Sequence, residues 1–243
     1  MPKLRLDHLL ISRGLVSSRE KAQAMILAGE VLVNGTRITK SGHTVSDDAQ
    51  VEIRSRLQKY VSRGGLKLEG ALQDFSIDPT GQTCLDLGAS NGGFTDCLLQ
   101  HGAARVFAVD VNTDQLDWKL TQDPRIVCIK RNARELQPAD IHEPASLVVA
   151  DVSFISVTKI LPPAIECSAT PAKFVVLIKP QFELRREDIG AGGIVSDPAL
   201  HQRAIESVRS AAESLRLQTV AIKPSHLPGA RGNLEFFLYS RKG

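Results

Sequence analysis

The sequence predicts a doubly wound α/β sheet of seven strands with the last strand antiparallel, preceded by a small N-terminal α+β domain. Beyond residue 65, seven strand-like runs alternate with helical ones. The runs are TCLDLG, ARVFAVDV, RIVCIK, SLVVADV, FVVLIKP, LQTVAIKP and NLEFFLYSR. A short loop joins the final two runs, which is typical of a terminal hairpin.

The N-terminal part, residues 1–58, predicts two short amphipathic helices followed by strands. Ser17 or Ser18 can cap the second helix, and Gly29 can end it. The run EVLVNGTRI then predicts a hairpin around an Asn-Gly turn, and AQVEIRS a further short strand. The periodicity lapses in KYVSRGG, which we interpret as a linker over residues 59–65, with a larger domain at 66–243.

Composition limits the class of protein. The chain has 243 residues and 42% hydrophobic content, enough for a core without covalent staples. Its four cysteines, Cys84, Cys97, Cys128 and Cys167, are widely spaced and predict reduced core residues, with no disulfide and no metal site. No apolar run reaches membrane-spanning length and no signal peptide begins the chain, so we expect a soluble, cytoplasmic protein without a membrane partner, and a monomer.

Positive charge is concentrated towards the N-terminus. Residues 1–63 hold 11 Lys and Arg against 6 Asp and Glu, whereas the remainder holds 19 against 21. A basic module joined to a nearly neutral domain suggests a handle for nucleic acid, and a merely solvated basic surface is the alternative.

The pattern RLDHLL…R…SRE.A...I..G.V.VNG resembles the RNA-binding module of the ribosomal-protein-S-four type. This resemblance implies RNA contact through shape and phosphate rather than base readout. The candidate RNA-binding residues are Arg5, Arg13, Arg19, Lys21, Arg37, Lys40 and Arg63.

The stretch LDLGASNGGF has two interpretations. Gly88, Ser90 and Gly92 spell the G-x-S-x-G of a hydrolase nucleophile elbow. An elbow follows several strands and needs an acid and then a histidine downstream, for which His201 and His226 are available. Because this turn follows the first strand of its sheet, its position favours a cofactor-binding glycine loop instead.

A cofactor loop requires an acidic residue after the next strand, to accept hydrogen bonds from two ribose hydroxyls. Asp110 ends VFAVD and meets this requirement. Ser90 stands where a dinucleotide fingerprint has its second glycine, which counts against a pyrophosphate and suits a phosphate-free cofactor. S-adenosyl-L-methionine is such a cofactor, and its cationic groups suit an acidic neighbourhood at Asp86 and Asp151.

Asn132, just past the third strand, either contacts the adenine edge or is an ordinary turn residue. The complete set of predicted cofactor-binding residues is Asp86, Gly88, Ser90, Gly92, Gly93, Phe94, Asp110, Val111, Asn132 and Asp151.

Four charged residues are expected to converge at one sheet edge. Lys67 precedes the first strand, Asp151 ends the fourth, Lys179 ends the fifth and Glu235 opens the last. Ligands of open α/β sheets bind at the carboxyl ends of the parallel strands, and an antiparallel last strand begins at that edge. A structural ion pair explains any one of these residues, but explains all four together poorly.

Residues 60–243 resemble the TlyA family, or haemolysin-A-like proteins, a branch of the FtsJ-type ribose 2'-O-methyltransferases with a class I, Rossmann-like fold. The resemblance rests on SRGGLKLEGAL, CLDLGASNGGFTDCLLQHGA, VFAVDV, ADVSFIS, LIKPQFE and GNLEFF. It implies S-adenosyl-L-methionine as cofactor and assigns the family's catalytic Lys, Asp, Lys and Glu to the four residues just named. Glu183 is a rival for the acidic role.

The resemblance implies a cytidine ribose in large-subunit ribosomal RNA as substrate, and in some members a small-subunit site as well. Members with both activities carry short terminal extensions. This sequence starts almost directly with the RNA-binding module and stops just after the last strand, so we expect methylation of the large-subunit RNA alone. A pore-forming haemolysin and a non-catalytic RNA-binding protein are the alternatives. A pore former should show a spanning helix, a basic amphipathic helix or long alternating strands, and none is evident.

A ribose hydroxyl is a weak acid and must lose its proton as it attacks. We hypothesise that Lys179 accepts this proton, helped by partial desolvation and by the second cation Lys67, while carboxylates hold both ammonium groups. The glycine-rich stretch ELRREDIGAGGIVSDP predicts a mobile loop over the site, ending at an Asp197 N-cap. Its Arg185 and Arg186 either contact RNA phosphate or are solvated.

Overall fold

The computed structural model describes residues 3–16, 18–53 and 59–243. The chain divides into two compact units, residues 1–58 and 59–243. The predicted cap Ser17, the last two residues of AQVEIRS and the predicted boundary at residue 58 lie outside the described residues.

The first unit contains two helices and five short strands among its described residues. In chain order these are β1 (Lys3–Arg5), α1 (Leu6–Ser12), α2 (Arg19–Leu27), β2 (Val31–Val33), β3 (Thr36–Ile38), β4 (Thr44–Ser46) and β5 (Val51–Ile53). β2 pairs antiparallel with both β3 and β5, as the hairpin signal predicts. The separate β1–β4 pair was not predicted, since three-residue strands show no alternation.

The caps of α2 agree with the sequence. The Ser18 side chain accepts a hydrogen bond from the Lys21 N–H at 3.2 Å, and Gly29 follows the helix with a φ of +70°. Both helices bury their apolar faces in a small core. Its fully buried members include Leu6, Leu9, Leu10, Ala22, Ile26 and Val31.

The second unit alternates strands and helices in the predicted order. Its elements are α3 (Arg63–Asp74), β6 (Thr83–Leu87), α4 (Gly93–Gln100), β7 (Arg105–Asp110), α5 (Trp118–Thr121), β8 (Ile126–Lys130), β9 (Ala145–Ala150), α6 (Leu161–Glu166), β10 (Ser168–Ile178), α7 (Pro180–Glu183), α8 (Pro198–Ser214), β11 (Gln218–Pro224) and β12 (Phe236–Lys242). The sheet order is β11-β12-β10-β9-β6-β7-β8. β12 runs antiparallel to β10 and β11, which confirms the predicted fold.

Helices and loops cover both faces of this sheet, so its central strands are apolar on both sides. Asp86 is the exception within β6, where a fully buried carboxyl group interrupts an apolar run. Among the residues that the structure describes, no helix is long and apolar enough to cross a membrane.

Two local expectations fail. α3 begins at Arg63, inside the predicted linker 59–65, and Tyr60 packs in the core of this unit. Gly65 lies in the first turn of α3, and the Tyr60 ring occupies the space that a side chain at this position would need. Cys128 is exposed rather than in the core because β8 is an edge strand of the sheet.

Candidate active site

The glycine loop connects β6 to α4 at the carboxyl edge of the sheet. Gly88 and Gly92 have φ angles of +85° and +94°, which side chains disfavour. Ser90 also has a left-handed backbone, with a φ of +50°. A side chain at Gly88 would place its Cβ 2.7 Å from the Asp151 carbonyl oxygen. The loop thus holds its backbone directly against the end of β9.

Asp110, at the end of β7, fastens this loop. Its Oδ2 accepts a hydrogen bond from the Ser90 N–H at 2.9 Å, and its Oδ1 accepts one from the Asn112 N–H at 2.9 Å. A carboxylate oxygen can accept more than one hydrogen bond, so both oxygens retain capacity for further donors. Asp110 therefore contacts the glycine loop directly, and its contact with ribose hydroxyls stays a prediction.

The contacts of Ser90 do not support a hydrolase. Its hydroxyl group lies 3.1 Å from Asn91 Oδ1, and among the described residues it contacts no histidine. His201 Nε2 lies 2.8 Å from the Val195 carbonyl oxygen, and His226 pairs with a carboxylate on α3. Without a neighbouring base, this serine lacks the activation that a nucleophile needs.

Asp86 lies beneath the loop as a buried carboxyl group with one partner. Its Oδ2 accepts a hydrogen bond from Thr95 Oγ1 at 2.6 Å, whereas its buried Oδ1 has no hydrogen-bond partner among the described residues. Burial raises the pKa of Asp86 to about 7, and the charges of Asp151 and Asp110 contribute to that rise. An unsatisfied buried oxygen is costly, and a cation close by would relieve that cost.

Lys67 and Glu235 form a buried ion pair. Lys67 Nζ donates to Glu235 Oε2 at 2.6 Å, and less than a tenth of either residue is exposed. Glu235 immediately precedes β12, and Lys67 lies on α3. The pair therefore ties the helix before the sheet to its last strand.

Lys179 and Asp151 form a second ion pair, at the ends of β10 and β9. Lys179 Nζ lies 2.5 Å from Asp151 Oδ1 and donates a hydrogen bond to Ser153 Oγ at 2.8 Å. The four residues are thus arranged as two lysine–carboxylate pairs. Ser153 was missed from the sequence, although it lies within ADVSFIS.

Glu183 contacts neither lysine. Its Oε1 accepts a hydrogen bond from the Val157 N–H at 2.9 Å, its Oε2 one from Ser156 Oγ at 2.5 Å, and burial raises its pKa. Glu183 thus anchors the loop after β9, and Glu235 is the glutamate paired with a lysine.

Two of the cavities in the described part of the chain open beside the glycine loop and share part of their lining. The first, the lysine cavity, has a volume of about 310 Å³ and is lined by Lys67, Lys179 and the glycine loop. The second, the Asp110 cavity, has a volume of about 410 Å³ and is lined by Asp110, Val111 and Asn132. The residues lining both are Gly88, Ser90, Asp151 and Ser153.

The remaining predicted cofactor residues lie around the same cavities. Gly93 and Phe94 line the lysine cavity, where Phe94 is buried against Phe237 with ring centroids 6.2 Å apart. Asn132 lines the Asp110 cavity, and its Oδ1 accepts a hydrogen bond from the Arg134 N–H at 3.1 Å. Asn132 is therefore a turn residue that also lines the cavity, and its contact with adenine stays a prediction.

The predicted RNA-binding residues of the first unit differ in their contacts. Arg13 donates to the Ala49 carbonyl oxygen at 2.8 Å, and Arg37 donates to the carbonyl oxygens of Ala28 and Gly29 at the end of α2. Arg5 and Arg19 contact a buried carboxylate, whereas Lys21 and Lys40 are exposed. The sequence did not show that four of these side chains also have partners within the unit.

Arg63 belongs to the second unit. It is exposed, lines the lysine cavity and donates to the Pro228 carbonyl oxygen at 3.3 Å. The loop after α7 is attached to the segment before β12, because Asn233 bonds to the Gly193 carbonyl oxygen and the Val195 N–H, each at 2.9 Å. At its end the Asp197 side chain caps α8, as predicted.

Replacing Gly88 by alanine is expected to lower the free energy of unfolding by about 2–3 kcal/mol, because the new methyl group would combine a left-handed backbone with a collision against main chain. Gly81→Ala is the matched control, since Gly81 has a φ of +70° and a Cβ added there would meet no described atom within 4 Å. We expect it to cost only about 1 kcal/mol. Equal losses in urea unfolding would contradict the close packing at Gly88.

Both parts of the chain match known protein families. Residues 60–242 match the model of the FtsJ-like methyltransferases, and residues 4–51 match the S4 domain. The chain is 44% identical to the 16S/23S rRNA (cytidine-2'-O)-methyltransferase TlyA of Mycobacterium tuberculosis, over 98% of this chain and 90% of that protein.

Two further relatives align over nearly the whole chain. Hemolysin A of Brachyspira hyodysenteriae is 42% identical, over 97% of this chain and 99% of that protein. A solved structure of a hemolysin-type protein from Streptococcus thermophilus superimposes with a TM-score of 0.78 at 40% identity, covering 100% of this chain and 89% of that one. The chain therefore belongs to the FtsJ-like methyltransferase family, in the group that contains TlyA and hemolysin A, and carries an N-terminal S4 domain.

Proposed function

We propose that the protein transfers a methyl group from S-adenosyl-L-methionine to the 2'-hydroxyl group of a cytidine ribose in ribosomal RNA. The observation that carries the proposal is the junction of the two cavities, where the Lys179–Asp151 pair lies beside the glycine loop. The name of the relative from Mycobacterium tuberculosis supplies the nucleotide and the bond.

The Asp110 cavity suits the nucleoside part of this cofactor. Asp110 can accept hydrogen bonds from ribose hydroxyl groups in addition to those of the loop. The orphan oxygen of Asp86 suits a cation, and Ser90 takes the place where a pyrophosphate would need bare backbone. When bound, S-adenosyl-L-methionine supplies a methyl group attached to a positively charged sulfur. An oxygen nucleophile can attack the methyl carbon, with the sulfur as the leaving group.

We assign the proton of the attacking hydroxyl group to Lys179 Nζ, which acts as a neutral amine after losing its own proton to solvent. The carboxylate of Asp151, 2.5 Å away, stabilises the positive charge that this nitrogen acquires. Ser153 Oγ fixes the direction of the amine, so that its lone pair can point at the hydroxyl group. The ribose oxygen would take up the methyl group that the cofactor supplies, and Lys179 would keep the proton that this oxygen loses.

The contacts of Lys67 support a role in positioning the substrate, beside the role expected from the sequence. Its ammonium group is paired with the Glu235 carboxylate at 2.6 Å in a buried contact. One of the three N–H bonds of Lys67 is used by Glu235, and the others can hold a substrate oxygen in the lysine cavity. Lys67 is thus assigned the orientation of the nucleotide, and Glu235 the orientation of Lys67.

Replacing Ser90 by alanine is expected to weaken S-adenosyl-L-methionine binding by a factor of about 3 to 10, because the loop loses one hydroxyl contact and keeps its strained backbone. Isothermal titration calorimetry measures this affinity. Ser90→Gly is the matched control, since it removes the hydroxyl group and the strain together. Complete loss of transfer with unchanged affinity would restore the nucleophile interpretation.

The substrate class also follows from the relatives. The S4 domain supports an RNA substrate. We expect a protein that modifies ribosomal RNA to work in the cytoplasm. The relative from Mycobacterium tuberculosis is named for both subunit RNAs, so large-subunit specificity stays a prediction.

A transfer assay tests the proposal. The protein and tritiated S-adenosyl-L-methionine are incubated in three separate reactions, with large subunits, with small subunits and with naked ribosomal RNA. We expect label in large-subunit RNA. Binding of RNA without transfer to any of the three would instead support a non-catalytic RNA-binding protein.

A further inference from the structure

The first unit contains a buried charge that the methyl-transfer site does not use. Asp7, in α1, is 0% exposed beside a core of aliphatic side chains. A buried carboxylate is costly unless donors surround it. Its contacts therefore indicate what this carboxylate holds in place.

Asp7 collects donors from two helices and the strand before them. Arg5 donates through Nε to Oδ1 at 3.0 Å and through Nη2 to Oδ2 at 2.8 Å, and the His8 N–H donates to Oδ1 at 3.0 Å. Gln23 donates to Oδ2 at 3.0 Å, and Arg19 Nε lies 3.5 Å from the same oxygen. The bonds from Arg5 hold the pKa of Asp7 well below its usual range, so the carboxylate stays ionised.

Two guanidinium groups thus approach one carboxylate oxygen while remaining half-exposed to solvent. The side chains of Arg5 and Arg19 are 46% and 52% exposed. The two guanidinium groups, which both lie close to Asp7 Oδ2, repel each other, and the negative charge of Asp7 offsets that repulsion. Each guanidinium has five N–H donors, most of which Asp7 leaves free for a second acceptor. A phosphodiester, with two charged oxygens, fits a pair of such groups.

An open groove of about 450 Å³ begins at Arg19. Leu4 and Ile11 contribute apolar surface to it, and His8 and Ser12 add polar groups. This is the composition that a ribose and its base can contact next to a bound phosphate. The two half-exposed guanidinium groups and the residues that line this groove therefore favour the RNA backbone as occupant.

We propose that Asp7 is a positioning residue that fixes Arg5 and Arg19 as a clamp for one phosphate of the RNA. The inference rests on the proposed function, since it assumes that ribosomal RNA is the substrate. The clamp predicts that Asp7, although negatively charged, strengthens the binding of RNA. A carboxylate that only neutralised two arginines would weaken RNA binding, and its removal would strengthen binding.

The test compares two variants of the full chain that each lose one negative charge. Binding of purified large-subunit ribosomal RNA is measured at fixed ionic strength for Asp7→Asn and for the control Asp47→Asn, in which neither arginine of the clamp loses a partner. We expect Asp7→Asn to bind about tenfold more weakly, the loss of one oriented charge-assisted contact. We expect Asp47→Asn to bind as tightly as the parent or slightly more tightly. Unchanged or tighter binding by Asp7→Asn would overturn the clamp.

A second variant covers the case in which Asp7→Asn unfolds the first unit, which circular dichroism and urea titration would reveal. Arg19→Lys keeps the charge and removes the planar fork, so the clamp predicts a loss of similar size. Parental affinity in Arg19→Lys would overturn the clamp while leaving the proposed function intact. Failure of the parent protein itself to bind ribosomal RNA would overturn the proposed function and the clamp together.

Discussion

Lys179→Ala is expected to reduce methyl transfer by about a thousandfold or more while leaving cofactor affinity nearly unchanged. The variant removes the only group to which we assign the hydroxyl proton, and proton transfer by a positioned side chain contributes about 10²–10⁴ to the rate. Cofactor binding should persist because the loop and Asp110 do not depend on Lys179 for their contacts. Single-turnover transfer and calorimetry measure the two quantities separately.

Lys173→Ala provides the matched control for this experiment. Lys173 lies on β10, the strand that leads to Lys179, but lines neither of the two cavities. We expect it to retain the parental rate. A Lys179→Ala variant that also methylates ribosomal RNA at nearly the parental rate would remove the proposed proton acceptor from the mechanism.

Lys67→Met is expected to affect stability and activity together. The substitution leaves Glu235 buried without its cation, so the free energy of unfolding should fall by about 3–5 kcal/mol. Transfer should fall by about a hundredfold, because the substrate oxygen loses an orienting donor. Urea unfolding and the transfer assay check these values.

The double variant Lys67→Met, Glu235→Leu separates the two effects. Replacing both partners of a buried pair by apolar side chains of similar size is often close to neutral for stability. We therefore expect the double variant to unfold at a higher urea concentration than Lys67→Met and still to be inactive. Recovery of transfer along with stability would show that the pair is purely structural.

Much of the architecture could be predicted because strand-forming runs and turns depend on residues that are close together in the sequence. Each of the seven strands of the large sheet overlaps one of the predicted runs, and the strands follow the predicted order along the chain, although β10 begins at Ser168, before its predicted run. The spacing also placed Asp110 after the strand that follows the glycine loop, and because β6 and β7 lie side by side in the sheet, Asp110 contacts that loop.

What the sequence did not reveal depends on tertiary contacts. Nothing in the spacing of the four charged residues shows that Lys67 pairs with Glu235 and Lys179 with Asp151, because those partners are far apart in the chain. The start of α3 was missed because a Gly-Gly pair usually marks a loop. Here Gly65 lies within the helix, where the Tyr60 ring leaves no space for a side chain. Likewise, only packing shows that two arginines of the first unit share a buried partner.

The most direct test of the proposed reaction is the identity of the methylated nucleoside. Large-subunit RNA is incubated with the protein and S-adenosyl-L-methionine, digested to nucleosides and analysed by mass spectrometry, with the Lys179→Ala variant in parallel. We predict 2'-O-methylcytidine with the parent protein and none above background with the variant. A methyl group on the base, or no modified nucleoside despite measurable cofactor and RNA binding, would contradict the proposed reaction.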